Sequence, residues 1–448
     1  MPPAHEMNRE SSLIPVSERP AEPRLAMHLR YFTLLRSNRD FRFLWMAQLV
    51  SELGDWFYSL AIYDLLLDMT GSGQAVSYAI IIQLLPWFFM TPVAGFLADR
   101  FPRRHLMIVA DIVRGVVVLG LLLVRTTGEI WLVYALLGVE VIFASIFEPA
   151  RSALLPNLTK PAELLPANAL SSATWSFALT LGAALGGAVT ALLGRDVAFV
   201  VNSVSFFASA VLLQRIRVAE HHAETSGRHP AHAPEHHSLR SVREGEEYLR
   251  QNPKILVVVL AKTGLGCVGG MLLLLAVFGE RIFPITGQGA LAMGLLYAAC
   301  GAGAGIGPMI GDHLTRGIES RMWRSISISF FIMGASYLLF SRAPNLPLAA
   351  LAVFVGHMGG SNIWVISTTL LQLNVSDRFR GRVFAVDFGL NMLVAAVSNY
   401  LVGVGLDHWG LSARELAAGL GGMLLIPALL WLPAQAKWGK ELSDRVIE

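Results

Sequence analysis

Apolar stretches of about 18 or more residues, each long enough to cross a hydrocarbon core of about 30 Å as a helix, recur along almost the whole of this 448-residue chain. That recurrence constrains the fold more than any single motif. A soluble α/β protein of this length would alternate short strands with amphipathic helices, and no such alternation is present. Charge is correspondingly sparse. Asp, Glu, Lys and Arg make up 15% of the residues, 54% are hydrophobic, and the mean hydropathy is +0.54; an ordinary soluble domain is about a quarter charged. Twelve spans are expected, near residues 41–67, 74–98, 104–125, 130–150, 166–193, 197–214, 254–279, 288–314, 322–341, 346–371, 382–406 and 412–433. The expected fold class is therefore all-α integral membrane, with twelve transmembrane helices in two six-helix halves.

The basic residues set an orientation. Of the 35 Lys and Arg, only Arg125, Arg195, Arg281, Arg342 and Arg414 fall in or beside the connections on one side, and only Arg114 and Lys262 lie more than a few residues inside a span. All the others sit in or beside the termini and the connections on the other side, which the positive-inside rule assigns to the cytoplasm. A plasma or inner membrane location with both termini cytoplasmic follows. The net charge of +3 is explained by these loops and implies no nucleic-acid partner. Cys267 and Cys300 both fall in expected spans, so no disulfide framework is implied. No cleavable signal peptide is read in residues 1–40; the first span would direct insertion.

Residues 215–253 form the longest connection and the one polar stretch of its size. It divides the chain into a cytoplasmic N-terminal segment (1–40), a first six-helix bundle (41–214), the His-rich linker itself, a second bundle (254–433) and a tail (434–448). Asp99 after span two and Asp312 after span eight are separated by the same offset as the starts of spans one and seven, which suggests duplicated halves with a site between them. Within the linker, "HHAETSGRHPAHAPEHH" suits either metal binding or a solvated connection, the latter favoured by irregular spacing and the absence of cysteine. "SLRSVREGEEYLRQNP" reads as an amphipathic surface helix leading into span seven.

The stretch "GFLADRFPRR", residues 95–104, concentrates Asp99, Arg100, Arg103 and Arg104 between two apolar runs. It resembles the signature G-x-L-A-D-R-x-G-R-R of the major facilitator superfamily, with Gly95, Leu97 and Ala98 also in place and Pro102 at the usual second glycine. "FRFLWMAQLVSELGDWF", "DMTGSG", "FEPARSALLPNL", "ELLPANAL" and "RGRVFAV" are similar to the drug:proton antiporter branch that includes macrolide and enterobactin exporters. The resemblance covers roughly residues 38–435 and speaks to the fold more than to the substrate. It implies that Asp99 faces the start of span eleven at Gly381 and Arg382. A carboxylate against a helix N-terminus contributes ~1–2 kcal/mol, enough to shift an inward/outward balance about tenfold. Arg103, one turn on, is placed to pair with Glu148. The cluster then latches the outward-facing state; the alternative is a plain stop signal.

Ionised groups within spans cost ~2.5–3.5 kcal/mol at mid-membrane and need a reason. Asp55 is the first candidate for a proton-coupling acid, Glu140 the second, with Glu52 one turn from Asp55 as a coupled partner. The alternative for each acid is a satisfied polar group between helices. Asp111 and Arg114, three apart, read as a local pair, and Asp387 as part of the cytoplasmic charge network near Asp99. Lys262 either neutralises Glu140, binds an anionic substrate or snorkels. Gln83, His357, Asn362 and Asn391 are candidate cavity residues, and Trp87, Trp175 and Trp364 could line an apolar pocket. Pro86, Pro92 and Pro308 mark expected bends.

The expected function is secondary transport: proton-coupled efflux of a lipophilic or amphiphilic molecule by alternating access, with the bilayer, a small-molecule substrate and protons as partners, no cofactor and a monomeric state. The alternative keeps the fold and carries a lysophospholipid, siderophore, metal ion or nutrient, by uniport if uncoupled. No catalytic motif or appended signalling domain is found, which disfavours an enzyme or a sensor.

Overall fold

The computed structural model describes residues 27–217, 247–316 and 318–439. Among them, ten helices are long and apolar enough to cross a membrane. These are α3 (Arg103–Leu123), α4 (Thr127–Leu158), α5 (Pro166–Leu193), α6 (Arg195–Gln214), α7 (Pro253–Ile282), α8 (Gly289–Thr315), α9 (Glu319–Ser341), α10 (Leu346–Asn374), α11 (Arg382–Asp407, extended back to Asp377) and α12 (Ala413–Trp438). Two further helices pack among these ten: α1 (Arg39–Thr70) of 32 residues and α2 (Gly73–Arg100) of 28. A short helix, Met27–Ser37, precedes them. The His-rich stretch, most of the expected amphipathic helix, residues 1–26 and residues 440–448 lie outside the described residues.

Local sequence explains where the helices start and stop. Asn38 accepts a hydrogen bond from the Phe41 amide and caps α1. Gly71 adopts the left-handed conformation (φ 62°) and closes it by donating to the Leu67 carbonyl. Ser72 then caps α2 by accepting from the Ala75 amide, so Gly71 and Ser72 alone turn the chain. A Ser412–Glu415 capping box opens α12. The expected proline bends take a different form. α2 and α8 run on as helices through Pro86, Pro92 and Pro308, whereas α7 is interrupted after Gly266 and resumes at Met271. π-turns lie at Ala178–Gly182 in α5 and Phe278–Ile282 in α7. Glycine, with no side chain to hold a continuous helix against its neighbours, marks the break in α7 more directly than proline.

The two sets of six helices pack by the same scheme. α2 and α3 both lie along α4, α1 along α5 and α6, and α3 along α6; correspondingly α8 and α9 lie along α10, α7 along α11 and α12, and α9 along α12. The sets meet principally through α2 with α11 and α5 with α8. Backbones touch at the α5–α8 crossing. A Cβ on Gly187 would lie 2.6 Å from the Ala290 carbonyl oxygen, and one on Gly294 would lie 2.6 Å from the Ala183 carbonyl oxygen. With no solvent to drive helices together in lipid, this close fit of small residues supplies the contact.

Candidate functional site

Call the end where α2 finishes and α3 begins the basic end. A cavity of about 370 Å³ runs from Gln48 and Glu148, toward that end, up to Tyr63 and Tyr297. Its wall comes from α1, α2, α3, α4 and α5, with Leu272 and Tyr297 of the second set closing over it. Aromatic rings form the roof: Tyr297 lies 6.0 Å from Trp56 and 6.1 Å from Tyr63, centroid to centroid.

Beyond this roof the two sets are tied together at the end opposite the basic one. The Asp407 carboxylate, at the end of α11, accepts from the Ser72 hydroxyl (2.5 Å), the Gly73 amide (3.1 Å) and the Gln74 amide (2.9 Å). The two amides are free N–H groups of the α2 N-terminus, where partial positive charge favours an anion. Ser77 donates to the Asn399 carbonyl at 2.9 Å, and Arg281 donates to the Gly71 carbonyl. The cavity is therefore sealed on the far side by contacts between the sets.

Charge within the cavity wall centres on a residue that the sequence had placed in a local pair. Arg114 of α3 donates through Nε to Glu140 Oε1 of α4 at 2.7 Å. Its Nη2 reaches both Asp55 oxygens of α1, at 3.0 and 3.1 Å. The expected pair with Asp111 on the same helix is present as a looser ion pair, 3.7 Å apart and without a hydrogen bond among the described residues. The Phe206 ring sits 4.0 Å from the guanidinium, a cation–π contact that packs its other face. The side chain of Asp55 keeps 33% of its surface exposed, to the cavity, while Glu140 (6%) and Arg114 (5%) are buried behind it. Three helices thus converge on one cation, with the acids outnumbering it.

A polar track leads from the triad toward the basic end. Gln48 donates to Glu52 Oε1 at 2.8 Å and accepts from Arg151 at 3.1 Å, and Arg151 pairs with Glu148 at 2.8 Å. Glu52 and Glu148 line the cavity beside Asp55.

The other expected residues divide. Gln83 lines the cavity, accepting from the Tyr63 hydroxyl (2.5 Å), and Trp87 and Trp175 line it too. Lys262 does not reach Glu140; it pairs with Asp387 at 2.6 Å, bonds Thr368 at 2.9 Å and lies 4.6 Å from the centre of the Trp364 ring. That pairing also takes Asp387 out of the role expected for it near Asp99. His357 packs against Tyr337 between α9 and α10, and Asn362 donates to Ser325 and Ser329 there. Asn391 donates to the Lys262 carbonyl at 2.7 Å, tying α11 to α7 just before the break. These four therefore stand away from the cavity wall.

In the signature stretch, Arg103 donates to the Ala153 carbonyl at 2.7 Å, while Glu148 is held by Arg151. Arg104 bonds the Leu213 and Gln214 carbonyls and so caps the end of α6. Arg382 lies 5.5 Å from the centre of the Phe379 ring, and Arg100 is exposed at the end of α2. Gly95 and Gly381 lie within α2 and α11, and the side chain of Asp99 is outside the described set.

Two six-helix sets with a matching contact scheme, enclosing a cavity sealed at one end and walled by intramembrane charge, define a multi-pass small-molecule transporter rather than an enzyme. The chain belongs to the Major Facilitator Superfamily, whose profile matches residues 44–398. It is 27% identical over 395 residues to the MFS-type transporter YfiS of Bacillus subtilis (strain 168), covering 86% of this chain and 91% of that one. It is 22% identical over 385 residues to macrolide efflux protein A of Streptococcus pyogenes (83% and 92%). Among solved structures, a bacterial homologue of the human lysosomal transporter Spinster, in an inward-facing and unoccupied conformation, superposes with a TM-score of 0.67 at 13% identity, covering 94% of this chain and 99% of that one.

Proposed function

We propose that this transporter exports a lipophilic or amphiphilic small molecule in exchange for protons, rocking residues 41–214 against 254–433 in a plasma or inner membrane, with both termini cytoplasmic and as a monomer. The observation that carries the reading is the Asp55–Arg114–Glu140 triad on the wall of a cavity closed at its far end. With Asp111 close by, three carboxylates face one guanidinium, so a proton arriving at Asp55 moves the site toward neutrality and loosens its grip on Arg114. Because Asp55, Arg114 and Glu140 stand on different helices, that change alters how α1, α3 and α4 sit together, which is the differential interaction a coupled conformational change needs.

The rest of the cavity supports the substrate class. Trp56, Trp87, Trp175 and Tyr297 offer apolar and aromatic area, while Glu52, Asp55 and Glu148 supply the acids. Neutral and cationic lipophilic molecules suit such a wall. Lys262, the residue that argued for anions, is spent on Asp387. The similarity to a macrolide efflux protein supports the direction of transport. Asp99, Arg100, Gly381 and Arg382 keep their proposed role as a latch at the basic end, closing when the far end opens.

The test uses a host stripped of its own exporters, expressing wild type or Asp55→Asn, with retention of tetraphenylphosphonium and erythromycin measured with and without a protonophore. Wild type lowers retention, the protonophore restores it, and Asp55→Asn behaves like the empty host. Unchanged retention of both compounds by wild type would overturn efflux of this class.

A further inference from the structure

A second concavity lies outside the transport cavity. α8 and α9 each pack along α10 but touch each other sparingly, which leaves between them a groove of about 400 Å³ floored by α10. Gly307 and Gly311 let α8 lie directly against that floor: a Cβ at either would run into the Met358 carbonyl or the Asn362 side chain. Its rims are aliphatic and face outward, with Leu314 63%, Ile328 51%, Ile310 43% and Ile332 40% exposed. Such a lining belongs against acyl chains.

The groove's head, toward the basic end, has different chemistry. Arg321 and Arg324 stand in the first turns of α9, both lining the groove and both exposed, and neither has an acidic partner among the described residues. Below them, Ser325 and Ser329 accept from Asn362 at 2.8 Å each, and neither hydroxyl donates a hydrogen bond among the described residues. Asn362 Oδ1 is buried with no donor among the described residues. Asp312, on the neighbouring turn of α8, does not line the groove. Two unpaired guanidiniums at the membrane–water boundary, above an aliphatic trough, match an anionic headgroup joined to an acyl chain. Basic pockets between transmembrane helices on the positive side recognise such lipids.

We propose that the α8–α9 groove binds an anionic phospholipid, with its phosphate on Arg321 and Arg324 and one acyl chain along Leu314, Ile328 and Ile332. This site is separate from the transport cavity and does not depend on what that cavity carries. It fixes a lipid to a helix pair that moves with the second set, so lipid charge would set the protein's stability in the bilayer.

Thermal unfolding of the purified full chain in a neutral detergent tests this, with titration of phosphatidylglycerol, phosphatidylcholine of the same chains, or inorganic phosphate, and bound lipid counted by native mass spectrometry. Wild type is expected to gain a saturable rise in Tm and one retained lipid with phosphatidylglycerol alone. Arg321→Gln with Arg324→Gln abolishes both, Ile328→Trp blocks the trough and abolishes both, and Arg342→Gln at the far end retains both. If the double variant does not fold, Arg324→Gln alone is expected to weaken phosphatidylglycerol retention at least several-fold. Equal responses to the two lipids, a response to inorganic phosphate that matches phosphatidylglycerol, a charge variant or Ile328→Trp that retains the response, or its loss in Arg342→Gln would each overturn the proposal.

Discussion

The two halves bury charge differently. In the first half, Arg114 gathers Asp55 and Glu140 from two other helices, with Asp111 beside it, and one of the acids is exposed to a cavity. In the second, Lys262 and Asp387 form a one-to-one pair, 3% and 1% exposed, shielded by Trp364 and pinned by Asn391 and Thr368. Helix packing is matched between the halves, yet among the described residues the mid-span cluster of the first half alone leaves an excess of acid within reach of water. A balanced pair, sealed from water, can hold α7 to α11 but has no excess acid for a proton to reach. An unbalanced, accessible cluster has one. Symmetry therefore belongs to the scaffold, and the proposed coupling belongs to the first half.

Removing one partner breaks that comparison most severely. A buried pair that loses one member costs ~3–5 kcal/mol, so Lys262→Ala and Asp387→Ala are each expected to cut the folded yield sharply, as read by fluorescence-detected size-exclusion chromatography. Lys262→Met with Asp387→Leu is expected to recover much of that yield and to keep proton-driven export, because an apolar replacement of a balanced pair is often neutral or stabilising. Arg114→Ala should also lose yield, and here removing the acids does not restore function: Arg114→Met with Asp55→Asn and Glu140→Gln should recover folded protein without proton-driven export.

The next effect concerns the interface. Gly187→Val places branched carbon where the Ala290 carbonyl and Gly294 backbone already touch. Transport should fall more than ten-fold while membrane insertion is retained; insertion is checked by protease accessibility of the termini, and transport by retention of tetraphenylphosphonium.

A smaller effect is expected at Asp407. Its carboxylate on the α2 N-terminus contributes ~0.3–1 kcal/mol, up to about 2 in a sheltered geometry, so Asp407→Asn should open the far end only a few-fold more often. Labelling of a cysteine introduced at Tyr63, in the roof itself, would report the change as a few-fold faster rate from the far side. An unchanged rate would remove this contact from the gate. Asp407 repeats, at the far end of the α2–α11 pair, the arrangement proposed for Asp99 at the basic end: an acid at the end of one helix set against the start of the other.

Much of the fold was legible because it is written in one dimension. Span length and polar punctuation need no knowledge of neighbours, and helix ends such as Asn38 and the Gly71–Ser72 turn carry local signals. Asp55 and Glu140 stood out for the same reason, an acid in an apolar run being expensive. Their partner did not. On sequence alone Asp111 is the obvious match for Arg114, three residues away, whereas the bonded acids come from 59 and 26 residues away. Lys262 and Asp387 are separated by 125. Charge balance within the first half, where three mid-span acids share one arginine, was the available signal. His357, Asn362 and Asn391 were misplaced because a polar residue in a span does not declare which helix face meets the cavity. That depends on packing, which periodicity in an almost wholly apolar helix does not encode.

The central claim, that the Asp55–Arg114–Glu140 cluster is where the proton acts, is tested most directly in proteoliposomes. Tetraphenylphosphonium flux would be measured in two modes for wild type, Asp55→Asn and Glu140→Gln: accumulation driven by an imposed pH gradient, and exchange at equal concentration and equal pH on both sides. The account predicts that wild type shows both modes, whereas Asp55→Asn keeps exchange and loses gradient-driven accumulation, with Glu140→Gln impaired in the same direction. Gradient-driven accumulation that persists in both variants would contradict it and move the coupling elsewhere in the protein.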